Sequence, residues 1–222
     1  MNIGEKTTTP HSRYIAIEGP IGVGKSSLAR KLANSFHSDV LLERPADNPF
    51  LERFYSAPKL HALPTQLFFL FQRVKQLQAT QQGDLFSGGL VADFMLEKDQ
   101  LFAQVTLDDE EYRLYQQVYA NLNVEIPKPD LVIYLQAPVH TLQERIMHRG
   151  INYEIDIKSR YLQKLSDAYI AYFHRYDQSP LLIVNATDMN FVDEPSHFEA
   201  LVERIRQIDS GKNYFNPLLE SL

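Results

Sequence analysis

The sequence predicts an α/β protein of three layers, a parallel sheet with helices on both faces. Three observations carry this. Short apolar runs alternate with stretches of helical periodicity along the chain. The short runs are continuously apolar, as strands buried on both faces are. At 222 residues, with 44% hydrophobic and 23% charged residues, the chain can bury a sizeable core.

The elements follow in order. "RYIAIEG" (13–19) ends in glycine and reads as a buried strand, and "KSSLARKLANSF" (25–36) as the helix after it. "DVLLE" (39–43) is a second strand and "NPFLERFYS" (48–56) a short helix. "PTQLFFLFQRVKQLQATQQ" (64–82) reads as a long helix whose core face is Leu67, Leu70, Phe71, Val74 and Leu77. "GGLVADF" (88–94) is a third strand, with helical pattern from there to about residue 122, where "IPKP" stops it. "DLVIYLQ" (130–136) is a fourth strand, followed by a helix to about His148 and another over 157–176. "PLLIVNA" (180–186) is the fifth strand, and a final helix over 195–209 is closed by Gly211. The expected sheet has five parallel strands. No repeat or linker divides residues 13–222, which read as a single domain, and the polar start, 1–12, reads as a flexible arm.

Charge and composition exclude several classes. The net charge is −6, which argues against general binding to nucleic-acid polymers or anionic membranes. No cysteine is present, so disulfides, thiolate zinc sites and cysteine nucleophiles are excluded. Apolar runs such as Leu67 to Phe71 are far below the ~20 residues that span a bilayer. A cytoplasmic location is the expectation.

Between the first strand and its helix stands Gly19-Pro20-Ile21-Gly22-Val23-Gly24-Lys25-Ser26, a match to G-x-x-x-x-G-K-[ST] in the strand–loop–helix setting that confirms a phosphate-binding loop. Gly22 and Gly24 let backbone N–H groups close around phosphate oxygens, and the helix start adds its dipole. Lys25 reaches the terminal phosphates, Ser26 ligates Mg²⁺, and Gly19 and Ser27 complete the loop. In an open parallel sheet, ligands bind outside the carboxyl ends of the strands. The second strand ends at Glu43 and the third at Asp93. Two carboxylates on the rim beside a triphosphate equip the site for phosphoryl transfer to an alcohol, one taking the proton and the other holding the metal. A GTP-binding switch is a poor fit, since no N-K-x-D motif follows a strand.

These features together resemble the deoxynucleoside kinases, in particular bacterial-type deoxyadenosine, deoxyguanosine and deoxycytidine kinases, from about Arg13 to Ile208. The resemblance implies a P-loop kinase fold with an arginine-bearing lid, ATP as donor with Mg²⁺, a deoxynucleoside as acceptor, and a homodimer formed through helices. It implies that Glu43 in "LLERP" is the general base for the 5′-hydroxyl, and that Asp93 shares the metal with Ser26. Tyr55 and Glu154 match positions that hold the sugar 3′-hydroxyl, and Gln66 and Arg73 match those that read the base, with Phe69 as its wall. Gln66 and Arg73 lie two helical turns apart, roughly 10 Å of rise, so both occupy one face. In "ERIMHRGINYE" (144–154), Arg145 and Arg149 match lid arginines that neutralise the transferring phosphoryl group. "IVNATDMNF" (183–191), with Asn185 and Asp188, matches the loop that wraps the ATP adenine.

One stretch departs from the family. An acid-Arg-Ser motif is common at the end of the third strand, whereas here it reads Asp93-Phe94-Met95. Lys98, one helical turn past Phe94, is the candidate to replace the missing charge, and Asp99 the candidate second base reader. Arg73 offers donors and Gln66 both donor and acceptor, which suits bases with a strong acceptor edge. A purine deoxynucleoside is therefore the expected substrate, with deoxycytidine second and thymidine poor. Two alternatives stand beside this reading. One is a thymidylate-type monophosphate kinase, for which Glu43 carries the wrong charge at the acceptor end. The other is a non-catalytic kinase-fold binding or assembly subunit, which Phe94 favours and the intact Lys25, Ser26, Glu43 and Asp93 oppose.

Overall fold

The computed structural model describes residues 14–82, 89–122, 127–191 and 194–216. The expected arm, 1–12, lies outside the described residues. Six strands form one parallel sheet in the order β2-β3-β1-β4-β5-β6. They are β1 (Tyr14–Glu18), β2 (Asp39–Leu41), β3 (Leu90–Ala92), β4 (Leu131–Gln136), β5 (Leu181–Asn185) and β6 (Lys212–Phe215).

The helices are α1 (Lys25–Phe36), α2 (Leu51–Ser56), α3 (Pro58–Gln82), α4 (Lys98–Thr106), α5 (Asp109–Ala120), α6 (Val139–Arg149), α7 (Ser159–Arg175) and α8 (Pro195–Arg206). Side chains alternate across β1 with the period of two that a strand imposes. Ile15 and Ile17 face a core built with Leu28 and Leu32 of α1, Leu142 and Ile146 of α6, and Leu201 and Ile205 of α8. Tyr14 and Ala16 face the opposite core, with Leu101 of α4 and Leu165, Tyr169 and Phe173 of α7. A third cluster joins Leu70, Val74 and Leu77 of α3 to Phe94 and Tyr115. The three layers expected from the alternation are therefore present, with β1 between β3 and β4 near the sheet centre.

The structure corrects five details. The sheet has six strands, not five. The final helix stops at Arg206, and the chain turns at Gly211 into β6, whose "KNYF" is too polar and short to read as a buried strand. The helical stretch after the third strand is two helices, because Asp108 begins a new one with a capping box to Glu111. The long helix begins at Pro58, and Pro64 lies inside it. The carbonyl that Pro64 leaves without an N–H belongs to Leu60, which is 76% exposed, and the Thr65 hydroxyl donates to the next carbonyl, His61 O, at 2.6 Å. Phe71, expected in the core, is 52% exposed, so the buried stripe is narrower than the sequence suggests. No helix among the described residues is long and apolar enough to cross a membrane.

Candidate active site

The phosphate loop leaves β1 at Gly19 and enters α1 at Lys25. Its path needs glycine. A Cβ on Gly19 would sit 2.4 Å from Leu135 O, and one on Gly22 (φ +85°) would sit 2.7 Å from Leu142 O. Gly24 caps α1 without a side-chain bond, so the first-turn N–H groups remain for a ligand. Lys25 donates to Gly19 O at 2.8 Å and Pro20 O at 3.0 Å. Burial pulls its pKa down to about 8, and the nearby Lys98 charge adds to this.

Because all strands run parallel, the ends of β1, β3 and β2 open on one rim. Asp93, just past β3, accepts the Ser26 hydroxyl on one oxygen and the Glu43 N–H at 2.7 Å on the other. The expected metal pair and the expected base are thus joined through one carboxylate. Glu43 in turn meets two cations. Arg73 Nε donates to it at 2.8 Å and Lys98 Nζ at 3.1 Å. Burial alone would raise its pKa, but the two cations override this and hold it at about 2.

Phe94 sits in the apolar cluster beside α3, its ring 6.0 Å from the Arg73 guanidinium. It has no charge to offer Glu43, and Lys98 supplies one instead. Asp99 lies 2.6 Å from Arg73, both side chains being within 2% of full burial. Burial pushes Asp99 up to about 6 against the pull of Arg73, whose own pKa is raised by its carboxylates despite burial. Phe69 also lies against Arg73, with its ring centre 5.0 Å from the guanidinium.

Above these groups is a cleft bounded by Glu43, Tyr55, Gln66, Phe69, Arg73, Lys98 and Glu154. Gln66 is 2% exposed, yet its Oε1 has no hydrogen-bond partner, a buried acceptor that needs a donor from a ligand. Tyr55 stacks on Tyr153, their rings 6.2 Å apart and 11° from parallel. Glu154 is buried and ion-paired with Arg149.

A second cleft lies over the phosphate loop, bounded by Gly22 to Ser27, Arg145, His148, Arg149 and Met189 to Phe191. Arg145 and Arg149 do not act alike. Arg145 donates to Val23 O at 3.3 Å and, across the gap, to Ala186 O at 2.8 Å, Thr187 O at 3.1 Å and Met189 O at 3.2 Å. It ties the phosphate loop to the loop after β5. Arg149 borders both clefts. Asn185 works within its own loop, accepting from Thr187 N at 3.1 Å and Thr187 Oγ1 at 2.6 Å, while Asp188 acts electrostatically on Arg145.

Sequence reasoning did not single out Tyr153 or Glu18. Tyr153 stands beside the expected Glu154, and only packing reveals its stacking on Tyr55. Glu18 was visible as a lone carboxylate at the end of an apolar strand.

The deoxynucleoside kinase family model matches residues 15–209. The chain is 35% identical to the deoxyguanosine kinase of Bacillus subtilis over 200 residues, 88% of this chain and 97% of that one. It is 30% identical to the deoxyadenosine kinase of Dictyostelium discoideum over 210 residues, 92% of this chain and 83% of that one. The solved deoxyadenosine kinase of M. mycoides, described with dCMP and a flexible dCDP bound, superposes with a TM-score of 0.76 at 26% identity, covering 88% of this chain and all of that one. The match spans the phosphate loop, both rim carboxylates and the helices that wall the cleft, and by it this chain belongs to the deoxynucleoside kinase family and is a kinase.

Proposed function

We propose that the protein transfers the γ-phosphoryl group of ATP to the 5′-hydroxyl of a deoxynucleoside, with a purine as preferred base. One observation carries the reading. The cleft lined by Gln66, Arg73 and Tyr55 and the phosphate cleft meet at Gly22, Lys25, Ser26 and Arg149, and Glu43 stands on the first cleft's side of that junction. A hydroxyl there lies between a carboxylate and the end of a triphosphate seated in the loop, the alignment phosphoryl transfer needs.

Glu43 accepts the hydroxyl proton. Tyr55 and Glu154 hold the sugar. Lys25 and Arg149 balance charge on the transferring group, and Arg145 positions the two loops around the donor. Ser26 and Asp93 are hard oxygen donors, a set that fits magnesium completed by phosphate and water. Bound there, magnesium would screen the donor phosphates. Arg73 faces two demands, since the N–H groups it gives to Glu43 are those it can turn toward a base. A base with a strong acceptor edge draws Arg73 away from Glu43. That weakens the cationic hold on the carboxylate and raises its pKa toward the range of a useful base. Asp99 keeps Arg73 oriented meanwhile. The deoxyguanosine kinase named among the relatives supports the purine preference. A homodimer built through helices, working in cytoplasmic nucleotide salvage, completes the reading.

The test is turnover of the four natural deoxynucleosides with ATP. Deoxyguanosine or deoxyadenosine should lead and deoxycytidine follow. Thymidine should lose at least ~10-fold in kcat/KM, because it leaves buried polar groups unpaired. Thymidine turning over as fast as the purines would remove Arg73 from base reading.

A further inference from the structure

Glu18 is the last residue of β1 and is 1% exposed. A carboxylate in such a place is costly unless its charge is met. Its Oε1 accepts the Met95 N–H at 2.6 Å, and its Oε2 accepts the Tyr169 hydroxyl of α7 at 2.9 Å and the Gly19 N–H at 3.3 Å. Burial raises its pKa, and the ammonium groups of Lys98 and Lys25 oppose this through space, Lys98 more strongly.

These partners lie around the reacting centre. Residues 93–97 join β3 to α4 and carry Asp93 at one end, with Lys98 immediately after the other. Strand pairing of β3 stops at Ala92, so other bonds fix this segment. Asp93 N–H donates to Leu41 O at 3.1 Å, and Asp99 N–H to Leu96 O at 2.9 Å. Met95 N–H reaches Glu18, which ties the segment to the strand that feeds the phosphate loop. Lys98, 5% exposed, thereby has Glu43 at 3.1 Å and the Glu18 charge close by. In this chain, where Phe94 is uncharged, Lys98 is the cation that this segment brings to Glu43.

We propose that Glu18 is a positioning residue for phosphoryl transfer: anchored by Tyr169, it holds the segment from Asp93 to Lys98 against the root of the phosphate loop and keeps the Lys98 ammonium on Glu43. The inference rests on the reading of Glu43 as base with Lys98 beside it.

Glu18→Gln removes the charge while keeping the shape, at the cost of the long Gly19 N–H contact. The amide oxygen can still accept from Met95, and the amide N–H₂ can donate to the Tyr169 hydroxyl, which turns to accept. The measurement is a double-mutant cycle with Lys98→Met, reading kcat, nucleoside KM and the thermal midpoint. Glu18→Gln should lower kcat about tenfold with Lys98 present and by less than about twofold once Lys98 is Met, with KM and the midpoint nearly unchanged. Equal losses in the two backgrounds, or a kcat loss that only follows a fallen midpoint, overturn the inference while leaving Glu43 and Lys98 in place. A Lys98→Met enzyme with unchanged kcat overturns the reading beneath it. Should Glu18→Gln fail to fold, Tyr169→Phe decides the matter. It deletes only the hydroxyl that orients the carboxylate, and its smaller loss, about threefold, should vanish in the Lys98→Met background.

Discussion

Lys25 and Glu43 line the same cleft, and both have lowered pKa values for different reasons, Lys25 through burial and Glu43 through the cations that outweigh its burial. Lys25 titrates at about 8 because burial opposes its charge, and its ammonium is the active form. Activity that needs the ammonium is therefore lost as pH rises through that value. Glu43 works ionised, and its pKa of about 2 in the free protein keeps it ionised at every pH the enzyme meets. kcat/KM reports free-enzyme groups, so its alkaline limb should fall near pH 8, with no acid limb from Glu43 in the ordinary carboxylate range. A pH profile of kcat/KM for ATP checks both statements, and Lys25→Met should abolish the activity. At this scale the sequence was informative about residue type and less so about partner. Arg145 and Arg149 stand at equivalent places on one helix face, but only the fold reveals that Arg145 spends its N–H groups on loop carbonyls. The Arg73 contact with Glu43 was equally hidden, because it depends on how α3 leans over β2.

The phosphate loop and α6 form one mechanical unit. Gly22 lies so close to α6 that a Cβ there would come within 2.9 Å of Ile146 Cγ1 as well as meeting Leu142 O. That helix carries Arg145 and Arg149. Gly22→Ala should displace α6, weaken ATP binding and cost about 1–3 kcal/mol of stability, the usual range for overpacking. Thermal unfolding with and without ATP, alongside KM for ATP, tests this. An unchanged KM would mean that the loop tolerates the extra carbon by moving elsewhere. Elements with strong periodicity or a motif were legible: β1, α1, β4 and β5 lie within about two residues of their expected places. The misread elements are those that local patterns disguise. Pro58 and Pro64 blur the start of α3, and β6 takes its strand form from pairing with β5 rather than from its own residues.

Across the whole molecule, the three-layer sheet brings together residues from positions 19 to 154 because parallel strands send every carboxyl end to one side. Glu43, Asp93 and the phosphate loop meet for that topological reason. The alternation of strands and helices makes this much legible in the sequence. The join between the clefts was not readable, because it depends on α6, which packs on the same face of the sheet as α1, and the loop after β5 closing over the phosphate loop. The central claim is that Glu43, held at this junction, takes the proton from the nucleoside hydroxyl. Glu43→Gln keeps its size and removes the base. Its kcat and its dissociation constant for the preferred deoxynucleoside, measured together, are the direct test. The expected result is a fall in kcat on the order of 10²-fold or more with nucleoside binding largely retained. A variant with near-normal kcat would contradict the claim and take Glu43 out of the mechanism.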